Sequence, residues 1–218
     1  NTTGGQTPDE STFSISNITM NGFTGDADDV GGNASIDFHA GVFVYTGGSP
    51  TNEVTTDGTI ENLDISSVGL AGNSSFSGGL YFGGFSQQYG NSNFKQRVTA
   101  TNVTVRDSDS RGIFVRGDGT DATVTQSTIN NVAQGDGAGD QDGISIKIEK
   151  GGTLTLTESF VRGPSTVAGD VGPVIDANNT DSSFGGGENP GPIELTISGS
   201  LLQRNLSEQS IMRTRSSA

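Results

Sequence analysis

Apolar and polar positions follow a nine-residue pattern that occurs six times along the chain. The six copies begin at Ser14, Thr59, Thr99, Thr123, Thr155 and Thr196. In each copy the first position is Thr or Ser, the second and seventh are apolar, and the fourth is Asn, Gln, Glu or Gly. We call each copy the first phrase of a repeat and number the repeats 1 to 6.

A second phrase follows each copy after an insert of variable length. It consists of Gly or another small residue followed by apolar residues in alternation. The six second phrases read GVFVY, GLYFG, GIFVR, GISIK, GPVID and SIMRT, from Gly41, Gly79, Gly112, Gly143, Gly172 and Ser210. Alternation with a period of two predicts β-strands that bury one face.

The two apolar positions of the first phrase are five residues apart, so a straight strand would place them on opposite faces. A sharp bend at the fourth residue brings them to the same face. Asn17, Asn62, Asn102 and Gln126 occupy this position. Asn tolerates unusual backbone angles, and its amide can hydrogen-bond along a stack of equivalent residues. We therefore expect three short strands in each repeat, stacked as a solenoid because one repeat cannot bury its apolar face alone.

The first phrases start 24 to 45 residues apart, a spread that favours a solenoid whose inserts leave at its corners. The pattern resembles the pectin-lyase-like right-handed β-helix superfamily, whose repeat is close to I-x-N-S-x-F/I followed by G-G-I-x-I. The resemblance implies an all-β fold: a single right-handed parallel β-helix of about six coils with long corner loops. We expect it to span 13–218, after an N-terminal extension of 1–12. It implies no particular activity, although non-catalytic adhesin-type surface proteins are the most similar members.

Composition narrows the range of partners. The net charge is −14, with 25 acidic and 11 basic residues, so binding to nucleic acid is not expected. The sequence has no apolar run long enough to span a membrane, so direct membrane insertion is not expected either. It has no cysteine, which excludes disulfides and thiol chemistry. Because the sequence starts at Asn1 rather than Met, we expect that a leader or an upstream domain was removed. We also expect a secreted, extracellular or cell-surface location.

The second phrases predict a contact stripe on their outer face. If Val42, Leu80, Ile113 and Ile144 point inward, then Phe43, Tyr81, Phe114 and Ser145 form an outward column. Tyr45, Gly83, Arg116 and Lys147 are expected beside it. We define the contact stripe as Phe43, Tyr45, Tyr81, Phe114, Arg116 and Lys147. Exposed aromatic stripes usually mark contact, and two interpretations stay open: cover by corner loops or another subunit, or a groove for an acidic polysaccharide.

Two further kinds of site are suggested by loops. The segment GDGAGDQDG (135–143) places Asp136, Asp140 and Asp142 close together, a candidate Ca²⁺ site, with a solvated acidic loop as the alternative. No other cofactor is expected. Glycosylation sequons in loops occur at Asn33, Asn73 and Asn205. The sequons at Asn17 and Asn102 fall at the bend, where we expect the side chain to be buried.

The outer side of the first phrase carries a Thr-x-Thr motif in repeats 3, 4 and 5. A flat Thr ladder is either ordinary cross-strand pairing or an ice-binding face, although Glu61 interrupts it and unequal repeats make a regular lattice harder to form. Motifs of known β-helix lyases, hydrolases and epimerases are missing, so no catalytic residue is assigned.

A solenoid leaves unpaired strand edges at both ends, and neither terminus reads as a cap. We therefore expect a secreted structural or adhesive β-helix, a cell-surface adhesin or filament subunit that assembles through its end repeats. Its partners would be neighbouring subunits or further β-helix of the same protein. The alternative is a β-helix that binds or processes polysaccharide, using Arg116 and Lys147.

Overall fold

The computed structural model describes residues 9–22, 40–45, 53–67, 78–83, 94–108, 111–134, 143–165, 171–179 and 191–215. These residues form strands, turns and bends, with no helix among them. The strands are β1 (Asp9–Asn21), β2 (Ala40–Tyr45), β3 (Val54–Ser66), β4 (Gly78–Gly83), β5 (Phe94–Ser108), β6 (Arg111–Arg116), β7 (Thr120–Thr125), β8 (Thr128–Val132), β9 (Ile146–Glu149), β10 (Thr153–Thr157), β11 (Phe160–Arg162), β12 (Ile175–Asn178), β13 (Glu194–Ser198), β14 (Leu201–Gln203) and β15 (Met212–Arg215).

These strands form two sheets in which every pairing is parallel. The nine-stranded sheet contains β1, β3, β5, β7, β8, β10, β11, β13 and β14, and the six-stranded sheet contains β2, β4, β6, β9, β12 and β15. In each repeat the first phrase lies in the nine-stranded sheet and the second phrase in the six-stranded sheet. The expectation of an all-β chain built from stacked parallel strands is confirmed for the described residues.

The six first phrases stack in one register despite their unequal spacing. Ser14 lies opposite Thr59, and the same row continues through Thr99, Thr123, Thr155 and Thr196. Because this register is unbroken across six strands, the inserts between phrases leave the stacking unchanged.

The bend at the fourth residue is confirmed. The residues at this position all have left-handed backbone angles: Asn17 (φ 57°), Asn62 (56°), Asn102 (53°), Gln126 (52°), Glu158 (49°) and Gly199 (59°). The Asn62 amide donates to Oδ1 of Asn17 at 3.2 Å, and the Asn102 amide donates to Oδ1 of Asn62 at 2.7 Å. However, Asn17 and Asn102 are exposed, so the expectation that they are buried is wrong: their side chains stack on the outside of the bend.

Apolar side chains from both sheets meet in one core. In the nine-stranded sheet, Ile60, Val124 and Leu156 are fully buried. Leu80 and Ile113 of the six-stranded sheet belong to the same cluster. Burying a Val, Leu or Ile side chain stabilises a fold by about 1.5–3 kcal/mol, so the stacked rows are the main source of stability.

Glycines that begin the second phrases let the two sheets approach each other. A Cβ at Gly79 would overlap Val105, and a Cβ at Gly112 would overlap Ile129. At Gly41 it would lie 2.7 Å from Cγ2 of Ile65. The repeated glycine therefore reserves space for a core side chain of the opposite sheet.

The register of the second phrase in repeat 4 differs from the prediction. Ile113 pairs with Ile146, not with Ile144. Gly143 lies in a turn with φ 84° and β9 begins only at Ile146, so the strand starts later than the phrase. The N–H groups of Gly112 and Ile113 both donate to the Ser145 carbonyl, at 2.9 and 3.1 Å, an arrangement typical of a β-bulge.

Candidate functional site

The outer face of the six-stranded sheet carries an aromatic ladder. Phe43, Tyr81 and Phe114 occupy equivalent positions of β2, β4 and β6. Neighbouring rings are 4.8 Å apart between centroids and inclined at 66° and 70°, the edge-to-face geometry that aromatic pairs prefer. The three aromatic members of the predicted column are therefore aligned, but Lys147 rather than the predicted Ser145 follows Phe114. Tyr81 and Phe114 are fully buried, whereas Phe43 is 38% exposed.

Charged residues continue this column through the later repeats. Lys147 lies opposite Phe114, followed by Asp176 and Arg213. The Lys147 ammonium is 5.8 Å from the centre of the Phe114 ring, and the guanidinium of Arg111 is 5.1 Å from it. Asp176 accepts two hydrogen bonds from Arg213, at 2.8 and 2.9 Å. Lys147 thus lies in the aromatic column rather than beside Arg116, because of the shifted register of β9.

A buried carboxylate joins two members of the contact stripe. Oε1 of Glu149 is 2.8 Å from Nε of Arg116, and Oε2 is 3.0 Å from Nζ of Lys147. The side chains of Arg116 and Glu149 are 2% and 1% exposed. Ions removed from water are stable only when paired, so this triad holds its three side chains in fixed positions.

Four basic residues and two carboxylates share this face. Four of the chain's 11 basic residues contribute here: Arg111, Arg116, Lys147 and Arg213. Glu149 pairs with Arg116 and Lys147, and Asp176 pairs with Arg213, so most of this positive charge is neutralised within the chain. Because Tyr81, Phe114 and Arg116 are buried within the chain, this conformation offers no open groove at these three residues, and polysaccharide binding by the contact stripe stays a prediction.

Burial changes the acidity of Tyr81. Removal from water raises the pKa of its phenol to about 12, an effect opposed by the charge of Arg116 and reinforced by that of Glu149. Tyr81 therefore stays neutral well above its ordinary range and serves the ladder as an aromatic ring.

Other predicted site residues are placed only in part. The side chain of Tyr45 lies outside the described part of the structure, although its backbone pairs with Gly83. Asp136, Asp140, Asp142, Asn33 and Asn73 lie outside the described residues altogether. Asn205 is half-buried and its Oδ1 accepts a hydrogen bond from Arg162 at 2.7 Å. Within the described ranges no three His, Cys, Asp or Glu side chains come together in a way that could hold a metal ion.

The Thr ladder lies on the outer face of the nine-stranded sheet. Two rows run side by side there. One contains Ser14, Thr59, Thr99, Thr123, Thr155 and Thr196, and the other Ser16, Glu61, Thr101, Thr125, Thr157 and Ser198. All of these residues are exposed or half-buried. From repeat 3 to repeat 6 the two rows contain seven threonines and one serine, and no charged side chain.

The two end repeats expose parts of the apolar rows. Phe13, Ile15 and Met20 of β1 are only partly buried. At the opposite end Leu195, Ile197 and Leu202 are also partly buried, and Met212 of the six-stranded sheet is 40% exposed. A cavity of about 500 Å³ opens at this end, between β13 and β15, and includes Leu195, Ile197 and Met212 in its lining.

Sequence reasoning missed Glu149 and Asp176 as members of the outer face. Both follow Ile146 or Ile175 at odd spacing, so period-two alternation places them outward in either register, but it does not say which residues lie next to them. The missing information was the register of β9 and β12, which begin after the turn and bulge rather than at the glycine of the phrase.

Comparison with protein-family models, curated proteins and solved structures finds no match to this chain. Among the residues that the structure describes, no helix is long and apolar enough to cross a membrane. Any function must therefore be argued from the two sheet faces and the two end repeats.

Proposed function

We propose that this protein is a secreted structural or adhesive protein, a cell-surface adhesin or extracellular filament subunit that assembles through its end repeats. In this proposal the two sheets close into a single right-handed parallel β-helix. The regular alternation of the chain between the sheets and the common core between them support that architecture.

The graded burial of equivalent residues carries the proposal. Ile60 is fully buried, but the equivalent Ile15 in repeat 1 and Ile197 in repeat 6 are only partly buried. In the described residues β1, β13, β14 and β15 each pair along one edge only. Exposed apolar rows beside open strand edges favour the addition of further strands. The partner is therefore another subunit, or further β-helix of the same polypeptide.

Concentration dependence tests this function. We expect the mass measured by light scattering to grow with protein concentration, and electron micrographs to show particles joined end to end. Ile15→Asp should block growth because it places a charge in an end row, whereas Thr104→Asp, on the outer face of the nine-stranded sheet, should not. A particle of constant monomeric mass at all concentrations would contradict self-assembly.

The Thr ladder favours a second candidate function, ice binding. Its register is unbroken in spite of the unequal repeats, so the threonines recur about every 4.8 Å along the stack and at roughly twice the 3.3 Å rise along each strand. A flat, uncharged array of hydroxyl and methyl groups at such spacings can order water in a lattice. Four consecutive repeats lack charge in these two rows.

Inhibition of ice recrystallisation tests this second candidate. Thr123→Lys places a long charged side chain at the centre of the ladder and should abolish the inhibition. Thr104→Lys, on the same sheet beyond the bend, is the matched control and should retain it. Absence of inhibition by the unmodified protein rejects the candidate.

A further inference from the structure

We propose that repeat 6 of one molecule continues directly into repeat 1 of the next, with Thr196 opposite Ser14 and Met212 opposite Val42. This inference rests on the proposed assembly through end repeats and specifies its partner, a second copy of this chain, and its register. The interface joins two different surfaces, so it repeats without closing and builds a filament.

The inward rows make the two ends complementary. Within the chain, one row runs from Phe13 to Leu195, a second from Ile15 to Ile197 and a third from Met20 to Leu202. Each row is apolar at both ends. In the proposed register Leu195 meets Phe13, Ile197 meets Ile15 and Leu202 meets Met20 of the next molecule. The cavity beside Leu195, Ile197 and Met212 is the space that these β1 side chains would close.

Other registers conflict with the geometry of the strands. A shift by one residue would place Thr196 opposite Ile15 and turn every apolar row toward solvent, because side chains alternate with a period of two. A shift by two residues preserves the alternation but separates the bends. Gly199 and Asn17 both have left-handed angles, φ 59° and 57°, and only the proposed register superimposes them.

The six-stranded sheet supports the same register independently. The column that begins at Phe43 ends at Arg213, so stacking would place Arg213 over Phe43. Phe43 is 38% exposed and the side chain of Arg213 27% exposed. The chain already makes this type of contact within itself, where Arg111 and Lys147 lie over Phe114. An intermolecular cation–π contact would therefore extend a feature of the existing column.

Cysteine cross-linking tests the register, since the chain has no cysteine of its own. In the double variant Ser14→Cys/Thr196→Cys, the two sulfurs of one molecule are separated by five strand spacings, about 24 Å, and cannot bridge. Across the proposed interface the Cα atoms are about 4.8 Å apart, within the range that a disulfide requires. Mild oxidation should therefore yield a ladder of covalent multimers that disappears on reduction.

The matched control is Ser16→Cys/Thr196→Cys, which is displaced by two residues. Its Cα atoms would be about 8 Å apart, beyond the reach of a disulfide, and it should remain uncross-linked. Filaments that cross-link through the control pair, or through neither pair, would overturn the register while leaving the proposed function standing. Failure of the unmodified protein to assemble at any concentration would overturn both.

A conservative variant tests the contact in the six-stranded sheet. Phe43→Leu keeps the position apolar but removes the ring, and should raise the concentration needed for assembly about two- to fivefold. Folding of the monomer, followed by circular dichroism, should be unchanged. An unaltered assembly threshold would rule out the Arg213–Phe43 contact.

Discussion

The middle and the end repeats of the stack share one sequence pattern but differ in how deeply they bury its apolar residues. Ile60 in repeat 2 and Ile15 in repeat 1 hold the same position of the first phrase and are paired across the sheet. Ile60 is completely buried and Ile15 is half-buried. The difference comes from neighbours: Ile60 has a repeat on each side, and Ile15 has one.

The outer face of the six-stranded sheet repeats this contrast with charged groups. Glu149 in repeat 4 is 1% exposed between two cations, whereas Arg213 in repeat 6 remains 27% exposed beside Asp176. In a solenoid, therefore, the contribution of a residue to the free energy of unfolding depends on its position in the stack as much as on its residue type.

Breaking the buried triad should give the largest effect. Glu149→Gln leaves Arg116 and Lys147 without the carboxylate that neutralises them, and removal of one member of a buried ion pair costs about 3–5 kcal/mol. The free energy of unfolding from urea titration measures this loss. The side chain of Asp176 is only 2% exposed, but Arg213→Gln removes the outermost side chain of the column and lets water reach this carboxylate, so this variant should cost less. Equal losses in the two variants would mean that the position in the stack does not matter.

Truncation within one apolar row is the next sharpest comparison. Ile60→Ala should lower the free energy of unfolding by about 2–5 kcal/mol because it leaves a cavity in a packed core. Ile15→Ala removes the same atoms at the end of the row and should lower it by about 1 kcal/mol in the monomer. Denaturant unfolding at low protein concentration measures both.

Assembly supplies a second measurement on the same pair. If another molecule covers the end rows, the decrease in the free energy of unfolding caused by Ile15→Ala should be larger at concentrations where filaments form. A loss that stays constant over the whole concentration range would argue against burial of Ile15 on assembly.

Alkaline titration tests the burial of Tyr81, which lies in the ladder next to the partly exposed Phe43. Its pKa is raised from 10.0 to about 12 by burial, so the folded protein favours the neutral phenol. The resulting stability is fully present below pH 10 and is lost as the pH rises toward 12, by roughly 2–3 kcal/mol. Tyr81→Phe keeps the ring and should remove this alkaline loss. Thermal melting between pH 9 and about 12, together with tyrosinate absorbance, checks it.

Much of the fold could be predicted because its determinants are local. The odd spacing of apolar residues around Asn62 requires a bend, and the small residue before the second phrase requires close packing, whatever lies between them. The register of β9 could not be predicted in this way. It depends on a turn at Gly143 and on two N–H groups that share the Ser145 carbonyl, which are tertiary features. As a result the aromatic column was found but its continuation through Lys147 and Asp176 was not.

The amide ladder at the bend gives a small predicted effect, and two variants of Asn62 separate the contribution of its backbone angles from that of its side-chain hydrogen bonds. Asn62 donates to Asn17 and accepts from Asn102. Asn62→Ala therefore loses two exposed hydrogen bonds and replaces a residue that tolerates left-handed backbone angles with one that tolerates them less well, about 2 kcal/mol in all. Asn62→Gly loses the same two hydrogen bonds but adopts left-handed angles freely, and should cost about 1 kcal/mol, as measured by urea unfolding.

Asn17→Ala should resemble Asn62→Ala in its backbone cost but lose one hydrogen bond fewer, because Asn17 is at the end of the ladder. Filament formation should not change the stability loss caused by Asn17→Ala. In the proposed register Asn17 meets Gly199, which has no side chain to offer, whereas Ile15 meets Ile197. Assembly should therefore increase the effect of truncating Ile15 and leave that of Asn17 unchanged, and the opposite result would place a different surface against β1.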